Sequence, residues 1–368
     1  MLPGLRSDAL SLADVFPSCL AALRSEPNAL GLPGVRAAIV LLVDGLGAQA
    51  LRDRAGHART LSASGASMES GFPTTTASAL ATLTTGTRPG QHGLVGYTVL
   101  DAENDRLINQ LSGWEGLDPL AWQAMPTVFE QALDVGLRAS AIMPTRYHDS
   151  PFTHAVLRGA AYVAGVTIAD RLAAAAALLT SPGAPQLIYV YVYELDKAGH
   201  AHGCESKEWT TALEDLDAAV RDLALPRDVG LIVTADHGMV DVTPRNQVIF
   251  DSRAELMAGV AHVGGEPRCL QLYLGEGEDP DEIAATWRSW EDFRSWVVTR
   301  EEAIAAGWFG EVRPEVEGRI GDVIVAARKT IAYYASTASA RSLAMIGQHG
   351  SWSPAEVQVP LIKLGAFA

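Results

Sequence analysis

The chain has little cysteine, no long apolar run and a shortage of positive charge. Its three cysteines, Cys19, Cys204 and Cys269, are odd in number and far apart. That excludes a disulfide framework, and the absence of a CxxC pair excludes the common zinc-thiolate motifs. No stretch of 18 or more apolar residues occurs, so no membrane-spanning helix is expected. The opening MLPGLRSDALSLADVF has no basic region followed by an apolar stretch and a small-residue cleavage site, which makes the cytoplasm the expected compartment. With 28 basic against 43 acidic residues the net charge is -15. A broad basic surface for a nucleic-acid duplex is therefore excluded. An anionic substrate would also be repelled at long range, so a phosphate-handling site here would need local positive charge, which bound divalent cations would supply.

What is present is a 368-residue chain, 48% hydrophobic, long enough for a substantial core and about two structural units. Ala37–Val43, Leu187–Tyr193 and Gly230–Thr234 are continuous runs of apolar and β-branched residues without alternation. Such runs predict strands buried on both faces. Ala139–Met143 and Val359–Leu364 are weaker examples. Between them, Ile168–Leu179 and Thr210–Leu223 have helical spacing, the second with Leu213, Leu216, Val220 and Leu223 on one face. Alternating strands and helices predict an α/β fold with a mostly parallel central sheet flanked by helices. The composition shifts after about Phe250, and Gly275, Gly277, Pro280 and four tryptophans (Trp287, Trp290, Trp296, Trp308) fall within 265–330. We expect residues 1–264 and 331–368 to form the core and 265–330 a small inserted α+β cap, with strands at Cys269–Leu274 and Asp322–Ala326.

The candidate site residues cluster at strand ends. Asp44 follows the first apolar run, Asp196 follows the second, and Asp236 and His237 follow the third. In open sheets ligands bind beyond the carboxyl ends of parallel strands. His200 lies four residues after Asp196, and His349 sits in GQHGS near the end of the chain. Any one of these alone fits ordinary turn or loop chemistry. Together, three carboxylates and three imidazoles make a mixed oxygen and nitrogen set that suits zinc or a similar first-row ion better than magnesium or calcium. Phe72–Gly86, FPTTTASALATLTTG, reads as a helix started by Pro73 and its threonines and stopped by Gly86. A helix start offers amide donors to a phosphate, and a threonine hydroxyl becomes a competent nucleophile beside a cation. Without the metal motifs, the same stretch reads as a polar cap with a solvated face.

Taken together, VDGLG, FPTTTASALATLTTG, DKAGHAHG, ADHG and QHGS resemble the alkaline phosphatase superfamily, and within it the nucleotide pyrophosphatase/phosphodiesterase family. The resemblance runs from 37 to 351. It implies an alkaline-phosphatase-like core, two zinc ions and a threonine nucleophile in an F-P-x-x-T setting, which here falls on Thr76. It also implies one zinc on Asp196, His200 and His349 and the other on Asp44, Asp236, His237 and the Thr76 oxygen. A small phosphorylated substrate is the implied partner, cleaved at a phosphodiester or pyrophosphate bond through a phosphothreonine. A phosphomonoesterase or phosphonate hydrolase would use the same core, and a catalytically silent metal-binding protein would keep the same scaffold. Two departures leave nucleotide specificity open. The F-P-N-H that follows the nucleophile in many relatives is Ala77-Ser78-Ala79-Leu80 here, and Tyr97 stands where an asparagine would hold a phosphoryl oxygen. Tyr97 is thus a candidate substrate contact or a core aromatic, and His202 a candidate contact. His92 is expected to be structural. Arg146, Tyr147 and His148 read as a surface loop more readily than as substrate contacts, and Lys197 as a neighbour of the metals or the partner of an acid.

Overall fold

The computed structural model describes residues 2–4, 9–63, 65–180 and 184–368; Met1 and 5–8 of the N-terminal stretch lie outside it. Five strands of the central sheet are laid down before residue 235: β1 (Ala37–Val43), β2 (Arg138–Met143), β3 (Ala161–Ala164), β4 (Gln186–Val192) and β5 (Val229–Thr234). The four strands of a second sheet follow, β6 (Val260–Glu266), β7 (Cys269–Leu274), β8 (Ser295–Thr299) and β9 (Val323–Ala327), and the edge strand of the central sheet, β10 (Ile362–Gly365), comes last. The central sheet runs β10-β5-β1-β4-β2-β3, parallel throughout except for the antiparallel edge strand β10. Every residue of β1, β4 and β5 is buried. This is why those strands carry unbroken apolar runs: helices cover both faces, so neither face is given to polar side chains.

The helices that matter below are α1 (Val15–Leu23), α2 (Thr76–Thr85), α3 (Val128–Asp134), α4 (Ile168–Thr180), α5 (Glu194–His202) and α6 (Lys207–Asp222). In α6 the expected stripe is present: Leu213, Leu216 and Val220 are buried in the main core, with Trp209. The helix starts three residues earlier than its apolar periodicity suggests because the Ser206 hydroxyl caps the Trp209 amide.

β6-β7-β9-β8 form a separate antiparallel sheet between β5 and β10 in the chain. It starts at Val260, ahead of the expected cap boundary at 265, and the first four residues of β6 are exposed or half-buried and carry no apolar run that would mark it. Trp287 is buried in the core of this sheet, whereas Trp290 is exposed. Trp308 is buried elsewhere. It meets Phe72 edge-on at 4.7 Å, and Phe72 stacks flat on Trp352 at 4.9 Å. That aromatic group binds the loop before α2 to the second sheet.

α2 is anchored at its far end by His92, which is fully buried. Its Nδ1 accepts from the Leu94 amide at 3.2 Å, and its Nε2–H therefore donates to Thr82 Oγ1 at 3.0 Å. Burial, and then the charge of Arg313, lower its pKa from 6.5 to about 3. Between those values the unfolded chain binds a proton that the folded chain refuses, so folding stability falls as pH drops below 6.5, by about 1.4 kcal/mol per pH unit. Urea titrations should show the stability advantage of wild type over His92→Gln shrinking by about 2 kcal/mol between pH 7 and pH 5. A constant difference would mean that His92 is not held neutral.

Candidate active site

Parallel strands deliver side chains from distant parts of the chain to one edge of the sheet. Asp44 leaves β1, Asp196 enters α5 after β4, and Asp236 and His237 leave β5. His200 is one turn further along α5, four residues from Asp196 and so on the same face. Thr76 is the first residue of α2, and His349 lies in the loop before β10. His237 is at the centre. Its Nε2 is 3.2 Å from Thr76 Oγ1, 3.4 Å from Asp44 Oδ1 and 3.5 Å from Asp236 Oδ2. The His237 and His349 rings stack at 3.7 Å, and His200 lies 5.2 Å from His349.

Two compact groups of ligand-capable atoms result, each within 4.8 Å: Asp44–Asp236–His237, and Asp196–His237–His349. The first is one of the two expected triads. In the second, His237 stands where His200 was expected, and His200 joins through Asp196, Nε2 to Oδ1 at 3.2 Å.

The three imidazoles share one arrangement. Nδ1 of His200 faces the Gly347 carbonyl at 2.7 Å, Nδ1 of His349 the Thr74 carbonyl at 2.7 Å, and Nδ1 of His237 the Gly238 carbonyl at 3.2 Å. A carbonyl can only accept, so each Nδ1 carries a proton, and in the neutral ring each Nε2 presents a lone pair to the cluster. Outer hydrogen bonds of this kind orient metal-ligating histidines. The carboxylates complement them. Asp236 Oδ1 accepts from the Gly45 and His237 amides, and Tyr191 donates to Asp44 Oδ2. Asp44 Oδ1, Asp236 Oδ2 and Asp196 Oδ1 are buried without a hydrogen-bond donor. An unpaired buried carboxylate oxygen is costly, and three of them beside three lone pairs are what a cation cluster needs.

The electrostatics agree. Burial, then the charges of Asp196 and Asp236, push the Asp44 carboxyl well above the usual range. Burial, followed by His237 and His200, holds His349 well below an ordinary imidazole. In the Asp196–His200 pair, burial opposes charge on each partner but their attraction wins, lowering Asp196 and raising His200. Positive charge placed among these groups would relieve the repulsion at Asp44 directly.

Of the three consecutive threonines, one has its hydroxyl in the cluster. Thr74 Oγ1 is engaged with the Ser351 carbonyl and the Gly350 amide, and Thr75 is wholly buried. Thr76 is half-buried and faces His237. It opens a ten-residue helix whose N-cap, Thr75, makes no side-chain cap, leaving the first-turn amides for an anion.

The remaining candidates are peripheral. Tyr97 is 37% exposed at the head of the hairpin Thr98–Asp101/Arg106–Asn109, and no hydrogen bond ties its hydroxyl to the cluster among the described residues. His202 is exposed. Two residues beyond His200, it lies about 200° around the helix, and it lines a depression of about 260 Å³ with Tyr193, Glu194, Lys197 and Glu208.

Several supporting residues escape sequence reasoning. Tyr191 reads only as a strand residue. Buried Glu356 holds Arg268 through two 2.7 Å bonds and accepts from the Ser351 amide at 3.0 Å, while its carbonyl accepts from Gly238 at 2.8 Å. One residue thus ties the loops carrying His349 and His237. Glu266, at the end of β6, lies 3.4 Å from His349. Only the alternation of the tyrosines in LIYVYVY was a usable signal.

The family model described as "Type I phosphodiesterase / nucleotide pyrophosphatase" matches residues 38–352. An uncharacterized pyrophosphatase/phosphodiesterase of Schizosaccharomyces pombe is 26% identical over 137 residues, 34% of this chain and 28% of that protein. Mouse ectonucleotide pyrophosphatase/phosphodiesterase family member 1 is 26% identical over 190 residues, 46% of this chain and 19% of that protein. The matches thus span less than a third of these relatives' lengths. Among solved structures, murine ectonucleotide pyrophosphatase/phosphodiesterase 5 superposes with a TM-score of 0.69 at 18% identity, covering 88% of this chain and 87% of that one. An inactive form of it, with a threonine-to-alanine substitution and in complex with AMP, gives 0.68 at 17% identity, covering 88% and 87%. Phosphonoacetate hydrolase from Sinorhizobium meliloti, in complex with phosphonoacetate, gives 0.68 at 19% identity over 90% of this chain and 91% of that one. At these identities the structural likenesses establish the fold.

Proposed function

The chain belongs to the type I phosphodiesterase/nucleotide pyrophosphatase family, and from this premise we propose that it is a metal-dependent phosphoesterase that cleaves phosphodiester or pyrophosphate bonds through a phosphothreonine at Thr76. One observation carries the reading. Three unpartnered carboxylate oxygens and three imidazole lone pairs gather beside the Thr76 hydroxyl.

Asp44, Asp236, His237 and Thr76 would hold one cation and Asp196, His200 and His349 the other, with His237 close enough to both groups to border each. Two divalent ions, zinc by the character of the donors, would stabilise the developing charge on phosphorus and lower the pKa of the threonine hydroxyl and of water. The protein's own part is positioning. α2 fixes the Thr76 oxygen for in-line attack on phosphorus, and its first-turn amides donate to the nonbridging oxygens. The threonine oxygen, its proton given up to solvent, forms a bond to phosphorus as the bond to the leaving oxygen breaks, and the leaving oxygen takes the electron pair. Water then attacks phosphorus from the opposite side and gives up a proton, and the Thr76 oxygen leaves with its electron pair and is reprotonated. Tyr191 and the Gly45 amide keep Asp44 and Asp236 from turning away. Inactivity of a threonine-to-alanine form of the murine neighbour supports a threonine in this role. Among the described residues no helix is long and apolar enough to cross a membrane, and three buried, unpaired cysteines support a reducing compartment such as the cytoplasm.

The test compares bis-p-nitrophenyl phosphate with p-nitrophenyl phosphate on protein of measured zinc content. A higher kcat/KM is expected for the diester. Preference for the monoester would overturn the diesterase assignment, and no turnover of either by fully metallated protein would leave a metal-binding protein without catalysis.

A further inference from the structure

The carboxyl ends of the neighbouring parallel strands β2 and β4 carry a second group of side chains beside the metal-ligand cluster. Arg146 and Tyr147 follow β2, and Tyr193 follows β4. The Arg146 guanidinium lies 4.7 Å from the Tyr147 ring centre and 4.1 Å from that of Tyr193, and its Nη2 donates to the Tyr147 hydroxyl at 2.8 Å. The side chain is exposed, and among the described residues no carboxylate lies within ion-pair distance of it. An unpaired arginine is unexpected in a chain of net charge -15, where acids are plentiful.

The group is built rather than incidental. Arg171, fully buried, lies 5.4 Å from the same Tyr193 ring and is ion-paired with Glu194. Its Nε and Nη1 are buried without a partner. Tyr147 meets Tyr191 edge-on at 6.0 Å, and Tyr191 donates to Asp44. Arg146 is therefore two aromatic rings away from a proposed metal ligand. A guanidinium stacked on aromatic rings keeps its donors at the edge, in the fork geometry that matches a phosphate or carboxylate.

We infer that Arg146, held by Tyr147 and Tyr193, binds an anionic group that the substrate carries beyond the phosphorus under attack. The substrates preferred by this site are then doubly anionic, a pyrophosphate or a phosphoester bearing a carboxylate. The assignment rests on the hydrolase reading above. It takes up the alternative reading of Arg146 and Tyr147 as substrate contacts on a surface loop and would add local positive charge to an acidic chain.

The experiment measures kcat/KM for ATP, bis(4-carboxyphenyl) phosphate and bis-p-nitrophenyl phosphate in wild type and Arg146→Ala. Each substrate is its own control for leaving-group reactivity. The ratio of ATP to bis-p-nitrophenyl phosphate should fall about tenfold or more in the variant, as expected for a lost charge-assisted hydrogen bond. Arg146→Lys should recover part of it, keeping charge without the fork. A fall for ATP alone identifies a phosphate site, for the carboxylate diester alone a carboxylate site, and for both a general oxyanion site. Ratios within about twofold of wild type for both overturn the inference. Calorimetry with methylenediphosphonate separates this failure from that of the hydrolase reading. Weaker binding by Arg146→Ala supports the subsite even if no substrate turns over, and equal binding overturns it.

Discussion

Thr76→Ala is expected to lower kcat for a phosphodiester by at least about 10³-fold, the scale seen when a covalent nucleophile is removed, while bound metal stays near the wild-type amount. The asymmetry follows from the geometry. Thr76 contributes one oxygen 3.2 Å from His237 Nε2, and the three carboxylates and three imidazoles all remain. Helix α2 should be undisturbed, since alanine is the best helix former and Thr76 is not the capping residue. The neighbouring threonines provide the contrast. Thr74→Ala removes a donor to Ser351 and an acceptor for Gly350, loosening the loop that carries His349. It should cost metal affinity and stability, with activity restored at high zinc. Elemental analysis together with turnover at saturating zinc separates the two. Near-normal turnover by Thr76→Ala would remove the covalent mechanism, and loss of metal in that variant would mean that Thr76 is mainly a ligand.

How much of this was legible depends on the range of the interaction. The strand-end aspartates could be read because a parallel sheet buried on both faces writes unbroken apolar runs, and an aspartate within a few residues of the end of such a run stands near its carboxyl end. β1 and the strand before Asp236 were found in this way. The tie from His349 to Thr74 joins residues 275 apart, and nothing in GQHGS states it. That His237 borders both groups of ligand-capable atoms was equally hidden, because it depends on the His237–His349 stack. Tyr191 could be read only as one of residues 189, 191 and 193, which share a face by the two-residue period; the register sets it opposite Leu42, and that its hydroxyl reaches Asp44 is not written in the sequence. His202 was also decidable, since a helix that points His200 inward turns His202 away. The loop after β2 is at the surface, with Arg146 and His148 exposed; that Arg146 lies over Tyr193 is not legible, because Tyr193 arrives from the end of another strand.

Asp236→Asn should have opposite effects on the stability of the protein with and without metal. The substitution is nearly isosteric. Its amide oxygen can keep the acceptor role of Oδ1 toward the Gly45 and His237 amides, so the turn after β5 is preserved. What changes is Oδ2, which is buried with no donor and adds to the repulsion that raises the Asp44 pKa. Replacing it by an NH2 group removes a buried charge and offers Asp44 a hydrogen bond, so the chelated variant should melt above chelated wild type by a few degrees, about 1 kcal/mol or more. With zinc the order reverses. A ligand that binds the folded state stabilises it by RT ln(1 + [L]/Kd), about 4 kcal/mol at a thousandfold excess over Kd. Wild type should gain an increment of that order, while the variant, having lost one anionic donor of the Asp44–Asp236–His237 group, should gain little and lose turnover with it. Thermal melts with and without zinc, paired with elemental analysis, provide the check. An unchanged zinc increment in Asp236→Asn would exclude Asp236 as a ligand, and a lower melting temperature of the chelated variant would show that Asp236 is held by more than its repulsive neighbours.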